Sequence, residues 1–479
     1  MIRRFVLATA LILSIGTSSS AQTVIVSDVS VIDVIEGVER PGMTVVISEG
    51  RITDVRSGQV DPIPPGATVI DGNGKYLIPG LWDMHIHTSS DAITREILYP
   101  LFLANGVTGV RNMHADCFEE GANACGTLQS SVMDAHSRRR DVETGTLLGP
   151  HEVVSSAFAD GPWVDGTSTV QAPGTAEDAR AFVRLEWQRG VDFIKVYDML
   201  PREAYFAVVD EGRNLGIPIA GHVPVAVKAS EASDAGQRSI EHCCAGSILE
   251  ECSAREEELR PAVLAELGSE GPAVLPLMRQ MVESYDADKC ASLFQRFIQN
   301  DTWFTPTLVV ELGNESLRDD SILRYVPAEE KAFFAVMEEA GDELYEGDSD
   351  APYTNWVRSM TLELHESGVG LLAGSDAGDP GAIWGFSLHD ELELLVSVGL
   401  SETSVLRMAT YNPAVFLGAA DSLGTIDVGK KADLVLLDAD PLENIRNTRR
   451  IEAVIVRGKV LDRDAIDDLL AHVELAAKD

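Results

Sequence analysis

The sequence is poor in basic residues, and above all in lysine. Thirty-eight Lys and Arg stand against 76 Asp and Glu, a formal net charge of −38, and only 9 of the 38 are lysine. A surface of that sign repels phosphate backbones and anionic headgroups, which argues against nucleic acid and acidic membranes as partners. The simplest role for the excess is a solvated acidic shell that keeps the chain soluble. Long apolar runs are missing too. The one candidate, Phe5 to Ile15, is too short for a permanent span, so no stable membrane insertion is expected. The six cysteines, at 117, 125, 243, 244, 252 and 290, lack zinc-finger spacing. A glycine-rich phosphate turn is absent where a doubly wound sheet would carry it, after the first buried strand. That place holds His85-Ile86-His87. Nothing implies a nucleotide or flavin.

What is present begins with a leader pattern. Arg3 and Arg4 precede the short apolar core, and Ser18-Ser19-Ser20-Ala21 offers a small-residue cleavage site after residue 21. No cysteine follows the core, so a lipid anchor is not suggested. The pattern predicts a signal peptide over 1–21 and an exported protein, periplasmic or secreted. Disulfides persist there. Cys117 with Cys125, and Cys252 with Cys290, bracket a loop and a helical insertion and are candidate bridges, while Cys243 and Cys244 read as buried thiols. About 458 residues remain after the leader, more than one core holds, so a large domain and a smaller one are expected.

Residues 22–77 and 416–479 are rich in β-branched runs and turns, and the second stretch ends in a helical tail. Both ends are predicted to form one small β-sandwich. The middle, 78–415, alternates short apolar strands with helical patterns, the signature of parallel β/α units. Eight strands are placed near 81–87, 107–112, 151–155, 193–197, 217–222, 239–243, 303–309 and 370–376, with helices at 176–189, 202–215 and 388–398. The fold class predicted is α/β, a (β/α)8 TIM-like barrel with a composite terminal β-sandwich. Residues 245–300 form a helical insertion that could act as a lid on the C-terminal rim.

Polar residues that close apolar strands face the mouth of such a barrel. His85 and His87 share a face because strand side chains alternate, and two imidazoles there make a pair of metal ligands. The other strand ends supply Lys195, His222, His242 and Asp376. Each has an ordinary reading alone: an exposed lysine, satisfied core histidines, a helix N-cap. Their joint placement at one end of one barrel favours a metal centre. A buried lysine also loses its proton readily, and a neutral amine can take up carbon dioxide as a carbamate. His365 and His389 lie in helical patterns, and His136 and His472 read as exposed. His114 and His151, near the ends of the second and third strands, are candidates for substrate contact.

With these residues on the page, the chain resembles the amidohydrolase superfamily of binuclear-metal type, in its imidazolonepropionase-like and prolidase-like branch. The resemblance runs through Gly80-Leu81-Trp82-Asp83-Met84-His85-Ile86-His87, Asp192-Phe193-Ile194-Lys195-Val196-Tyr197, Ile240-Glu241-His242, Ala373-Gly374-Ser375-Asp376-Ala377 and Gly429-Lys430-Lys431-Ala432-Asp433-Leu434. It implies that His85, His87 and Asp376 hold one divalent ion and His222 and His242 a second. Lys195, carboxylated from carbon dioxide or bicarbonate, would bridge them. Nitrogen and oxygen donors without thiolate suit zinc, with cobalt or manganese as substitutes. The metals would activate a hydroxide, Asp376 would shuttle its proton, and Tyr197 would contact the oxyanion or a substrate carboxylate. Gly221-His222-Val223-Pro224 departs from the Ala-His-Ala of many relatives. The activity implied is hydrolysis of C–N bonds in small molecules, such as dipeptides or N-acyl amino acids. A cyclic amide, a lactone or ester, or a phosphotriester is the alternative, and a non-catalytic metal-binding protein the remote one. Relatives often assemble, so a homo-oligomer stays open, although no interface motif stands out.

Overall fold

The computed structural model describes residues 23–114, 130–161, 170–171, 173–242, 246–267, 274–313, 319–335, 351–379 and 381–478. The leader and the cysteines at 117, 125, 243 and 244 lie outside the described residues.

The sixteen strands described are β1 (Val24–Asp33), β2 (Val38–Ser48), β3 (Arg51–Ser57), β4 (Thr68–Asp71), β5 (Tyr76–Pro79), β6 (Leu81–Ile86), β7 (Val107–Asn112), β8 (His151–Ala159), β9 (Val170–Gln171), β10 (Phe193–Val196), β11 (Ile219–Gly221), β12 (Ser239–Glu241), β13 (Trp303–Thr305), β14 (Leu434–Leu437), β15 (Ile451–Val456) and β16 (Lys459–Leu461). Seven of them, β6-β7-β8-β10-β11-β12-β13, run parallel in that spatial order as a nearly closed barrel, with β9 flanking β8. All six residues of β6 and of β7 are buried, as parallel strands covered on both faces require. Helices Ala176–Arg189 and Arg202–Leu215 have the predicted bounds, each ending at a left-handed glycine, Gly190 and Gly216.

The eighth predicted strand, near 370–376, is not a regular strand. It closes the ring through isolated parallel bridges, Leu371 to Phe304 and Ala377 to Ile86, and through Met84 N donating to Ala373 O at 2.9 Å. Its glycines explain the irregularity. A Cβ on Gly370 would lie 2.5 Å from the Trp303 ring, and one on Gly374 2.8 Å from His85 N. The backbone therefore squeezes between its neighbours without completing a ladder. The strand predicted at 303–309 likewise stops at Thr305, and Val309 falls in the short helix Leu308–Glu311.

The two ends of the chain share one continuous sheet, ordered β16-β15-β14-β5-β1-β2-β3, with β4 on β1. It is a single curled sheet, where two separate sheets were expected. The physical reason is β1, whose ten residues pair with β2 along one edge and with β4 and then β5 along the other. Curling shows in the core: Val45 and Ile52, from one end of the order, cluster with Ala453 and Ile455 from the other. β14 alternates, with Leu434 and Leu436 in that cluster and Val435 and Leu437 in the larger barrel core.

The insertion folds as helices Gly246–Cys252, Glu256–Leu267, Val274–Glu283 and Ala287–Asn300, and a Cys252–Cys290 disulfide joins the first to the last across a Cα separation of 4.7 Å. Among the described residues, no helix is long and apolar enough to cross a membrane.

Candidate metal centre

Three strand ends and the irregular closing segment meet at the C-terminal mouth of the barrel. His85 sits on fully buried β6, and its Nε2 faces Asp376 Oδ1 at 3.2 Å; His87 Nε2 approaches the same oxygen at 2.8 Å, and His242 Nδ1 lies 3.5 Å from Asp376 Oδ2. His85 Nε2 and Asp376 Oδ1 are nevertheless buried without an aligned hydrogen bond. Lone pairs converge there in place of donors meeting acceptors, and a buried orphan of that kind calls for an ion or a water. The donor atoms of His85, His242 and Asp376 all lie within 4.8 Å of one another. This triad takes one histidine from each of the two sets that the resemblance assigned to separate ions. His222 joins through its ring, 4.8 Å from that of His242. Imidazole and carboxylate donors without sulfur fit zinc or a similar divalent ion.

Buried groups set the protonation states. Burial, reinforced by the charge of Lys195, holds His85 well below the ordinary imidazole value, and burial brings His242 down to about 3. Both are thus neutral lone-pair donors at pH 7. Burial alone would raise the Asp376 carboxyl, but His242 and His87 outweigh it and keep it below its usual range. Burial brings the Lys195 amine down to about 8 against the opposing pull of Glu241 and Asp376. That residue is 1% exposed, and its Nζ stands 5.7 and 5.8 Å from the Phe158 and Tyr197 ring centroids.

A second layer fixes the ligands. Glu241 Oε2 lies 3.2 Å from His85 Nδ1 and accepts from Arg111 Nη2 at 2.7 Å, all within the barrel core. Asp198 Oδ1 lies 2.9 Å from His222 Nδ1, and Thr307 Oγ1 2.8 Å from His242 Nδ1. Asp83 accepts from both Ser375 N and Ser375 Oγ, which ties β6 to the segment carrying Asp376. Backbone strain gathers here: His242, Thr307 and Asp376 all have positive φ, at 66°, 45° and 56°. Such conformations are costly in residues with a Cβ and cluster at functional sites.

A family model described as the amidohydrolase family matches residues 298–461. About a third of the chain thus carries a match to that family. Among curated proteins, this chain is 29% identical over 149 residues to an adenine deaminase of Rubrobacter xylanophilus, covering 28% of this chain and 24% of that one. It is 24% identical over 439 residues to adenine deaminase 3 of Rhizobium meliloti, covering 90% of this chain and 56% of the relative. The matches thus span between a quarter and just over half of these two relatives' length. Among solved structures, it resembles bottromycin amidohydrolase with a TM-score of 0.68 and 22% identity, over 95% of this chain and 90% of that one. A Xaa-Pro dipeptidase with methionine bound in its active site gives a TM-score of 0.64 and 18% identity, over 92% and 100%. At such identities the likeness is one of fold.

The cavity beside the metal triad measures about 280 Å³ and is lined by His85, His87, Lys195, Tyr197, His222, His242 and Asp376, so the sequence-derived set comes together in one place. One wall of this cavity is a stack of four rings: His114 on Phe158 at 4.4 Å, Phe158 on Tyr197 at 4.8 Å, and Tyr197 on His222 at 4.1 Å. Phe158 escaped sequence reading because β8 runs four residues beyond the predicted stretch. Asp379, Trp384, Glu330 and Phe333 also line the cavity and were not anticipated. Trp384 Nε1 donates to His87 O at 2.8 Å, and burial with the nearby Asp376 charge pushes the Asp379 carboxyl up to about 6.

Of the two histidines considered for substrate contact, His114 lines this cavity and His151 does not. His151 opens β8 rather than ending it, at the opposite face, where its Nε2 lies 2.9 Å from Asp433 Oδ2. His136 is half-buried against the Arg189 carbonyl, not exposed as expected. Among the described residues of the insertion none lines the cavity, which leaves the lid without support; Glu330 and Phe333 occupy the rim that it was expected to cover.

Proposed function

We propose that this chain is a metal-dependent hydrolase of C–N bonds, acting on dipeptides or N-acyl amino acids. The observation that carries the reading is the convergence of buried His85 Nε2 and Asp376 Oδ1, neither with an aligned hydrogen bond, with His242. Two ions held by His85, His87, His222, His242 and Asp376, with Lys195 as a carbamate bridge, would supply an activated water and polarise the scissile carbonyl. Asp376 stays ionised among its histidines and is placed to take a proton from that water and return it to the leaving nitrogen. Tyr197 keeps its hydroxyl proton, because burial raises its pKa well above the ordinary value, and can donate to the tetrahedral oxygen or to a substrate carboxylate. Asp198 holds the His222 ring in one orientation.

A second reading is release of an exocyclic amine from a heterocycle, favoured by the curated relatives named adenine deaminase. Export goes with either. The basic, apolar and small-residue run over 1–21 suggests it, and the Cys252–Cys290 disulfide suits an oxidising compartment.

The deciding experiment loads the purified protein with zinc in bicarbonate and follows amine release from dipeptides, N-acyl amino acids and aminopurines, beside Asp376→Asn. We expect turnover on the first two classes and a loss of at least about a hundredfold in the variant. Turnover on aminopurines alone would establish the second reading. A protein that takes up no metal would sink both.

A further inference from the structure

A cavity larger than the metal cavity lies elsewhere in the molecule. It measures about 420 Å³ and shares no lining residue with the catalytic one. It lies at the other face of the barrel, where Trp82, His151 and Phe193 begin their strands, and the curled terminal sheet closes it with Lys431 and Arg457. That volume suits a small organic ligand.

Its two ends differ in chemistry. Trp82, Phe193 and Phe416 form an aromatic wall, with the Arg111 guanidinium over both phenylalanine rings, 5.8 and 5.2 Å from their centroids, and that of Arg238 5.5 Å from Phe416. At the other end donors outnumber acceptors. Lys431 is half-buried, and among the described residues its amine has neither a hydrogen bond nor an ion pair. Arg457 donates to the Gly149 carbonyl through Nη1 at 2.9 Å, and the side chains of both cations are near enough to repel. The buried carboxylate beside them, Asp433, is already engaged by His151 Nε2 at 2.9 Å and by Arg457 N at 2.8 Å. Arg139 reaches Asp192 and the Glu152 carbonyl, yet its Nε is buried without a partner. Of the other carboxylates on the wall, Glu152 is held by Arg138, and Glu143 is exposed and attracts both cations without closing to an ion pair. Asp433 and Glu143 attract Lys431 while Arg457 and Arg51 repel it, so a half-buried lysine without a hydrogen bond or close ion pair recovers little of its burial cost.

We propose that this cavity is a second ligand site, for a small organic acid with an aromatic or branched apolar body. Its carboxylate sits between Lys431 and Arg457, and its body lies against Trp82, Phe193 and Phe416. The site is independent of the metals and of the reaction assigned to them.

The test uses the metal-loaded full chain and isothermal titration with 3-phenylpropanoate, with phenethylamine as the charge-reversed control. Among the described residues Lys431 has no hydrogen bond or close ion pair to lose, so Lys431→Met and Lys431→Arg should fold as the parent does, which thermal melting checks. We expect saturable binding of the acid, equal binding in Asp376→Asn, no binding of the amine, at least about tenfold weaker binding in Lys431→Met, and recovery in Lys431→Arg. Absence of saturable binding overturns the proposal. So does binding lost in Asp376→Asn, which would place the probe on the metals, or equal loss in the Met and Arg variants, which would show that charge does not hold it.

Discussion

At the scale of single residues, the candidate metal centre depends on buried charges that compensate one another. Glu241 is fully buried and serves three partners, the Arg111 guanidinium, His85 Nδ1 and the Ser239 hydroxyl. Glu241→Gln would strand a buried cation, a change that costs about 3–5 kcal/mol where it has been made in other proteins. Urea unfolding should show a destabilisation of that order, and Arg111→Met in the same background should recover part of it. An unchanged midpoint would mean that the pair is not the support described. The ligand candidates themselves were legible because each closes an apolar strand, and a barrel has one mouth. Their supports were not. Asp198, Asp83 and Thr307 are ordinary polar residues in sequence, and their roles come from strands that meet only after closure. His151 shows the opposite failure: a histidine near a strand is uninformative until it is known which end of the strand it occupies.

At the scale of elements, close approach of backbones explains what the motifs alone did not. Gly221 precedes His222 where relatives often have alanine. Here its φ is 130°, and a Cβ would stand 2.2 Å from Val196 O and 3.0 Å from Lys195 Cδ. Gly221→Ala should therefore push β11 off β10 and displace Lys195 and His222 together. We expect turnover to fall about a hundredfold with circular dichroism unchanged; full activity would show that the strands can separate without cost. The insertion gives a second check. The disulfide closes a loop of 38 residues, which is worth about 2–4 kcal/mol. Cys252→Ala with Cys290→Ala should lower the melting temperature and speed proteolysis within Glu256–Leu267, while the metal cavity, which no described residue of the insertion lines, keeps its activity. The barrel and its helices were legible from alternating apolar patterns. The irregular eighth segment was not, because periodicity cannot show that two glycines let a chain pass through a gap too narrow for a ladder.

At the scale of the whole molecule, stability should fall as pH rises across neutrality. Glu391, buried on helix Phe386–Ser397, accepts from Val309 N at 2.8 Å, and burial pushes its carboxyl up to about 8, the backbone donors opposing. The folded state therefore keeps a proton that the unfolded chain loses above the ordinary glutamate value near 4.5. Stability from this proton is fully present below that value and is lost as pH rises through about 8. Glu391→Gln, which keeps an acceptor for the backbone, should flatten the fall in unfolding free energy between pH 5 and 8. A slope equal to the parent's would remove Glu391 from the account.

The sheet that joins the two ends also imposes an order on synthesis. β5 presents one edge to β14, pairing Leu77 with Leu436, so the strands made first wait for almost the last ones to leave the ribosome. Until then β5 is an open template, and any nascent or prematurely terminated chain lacking residues beyond 433 carries a bare, apolar strand edge that can add a foreign strand. Contacts this remote in sequence also form slowly. Newly made chains are thus exposed to aggregation until β14 has been made, and that strand acts as the stopper that ends it.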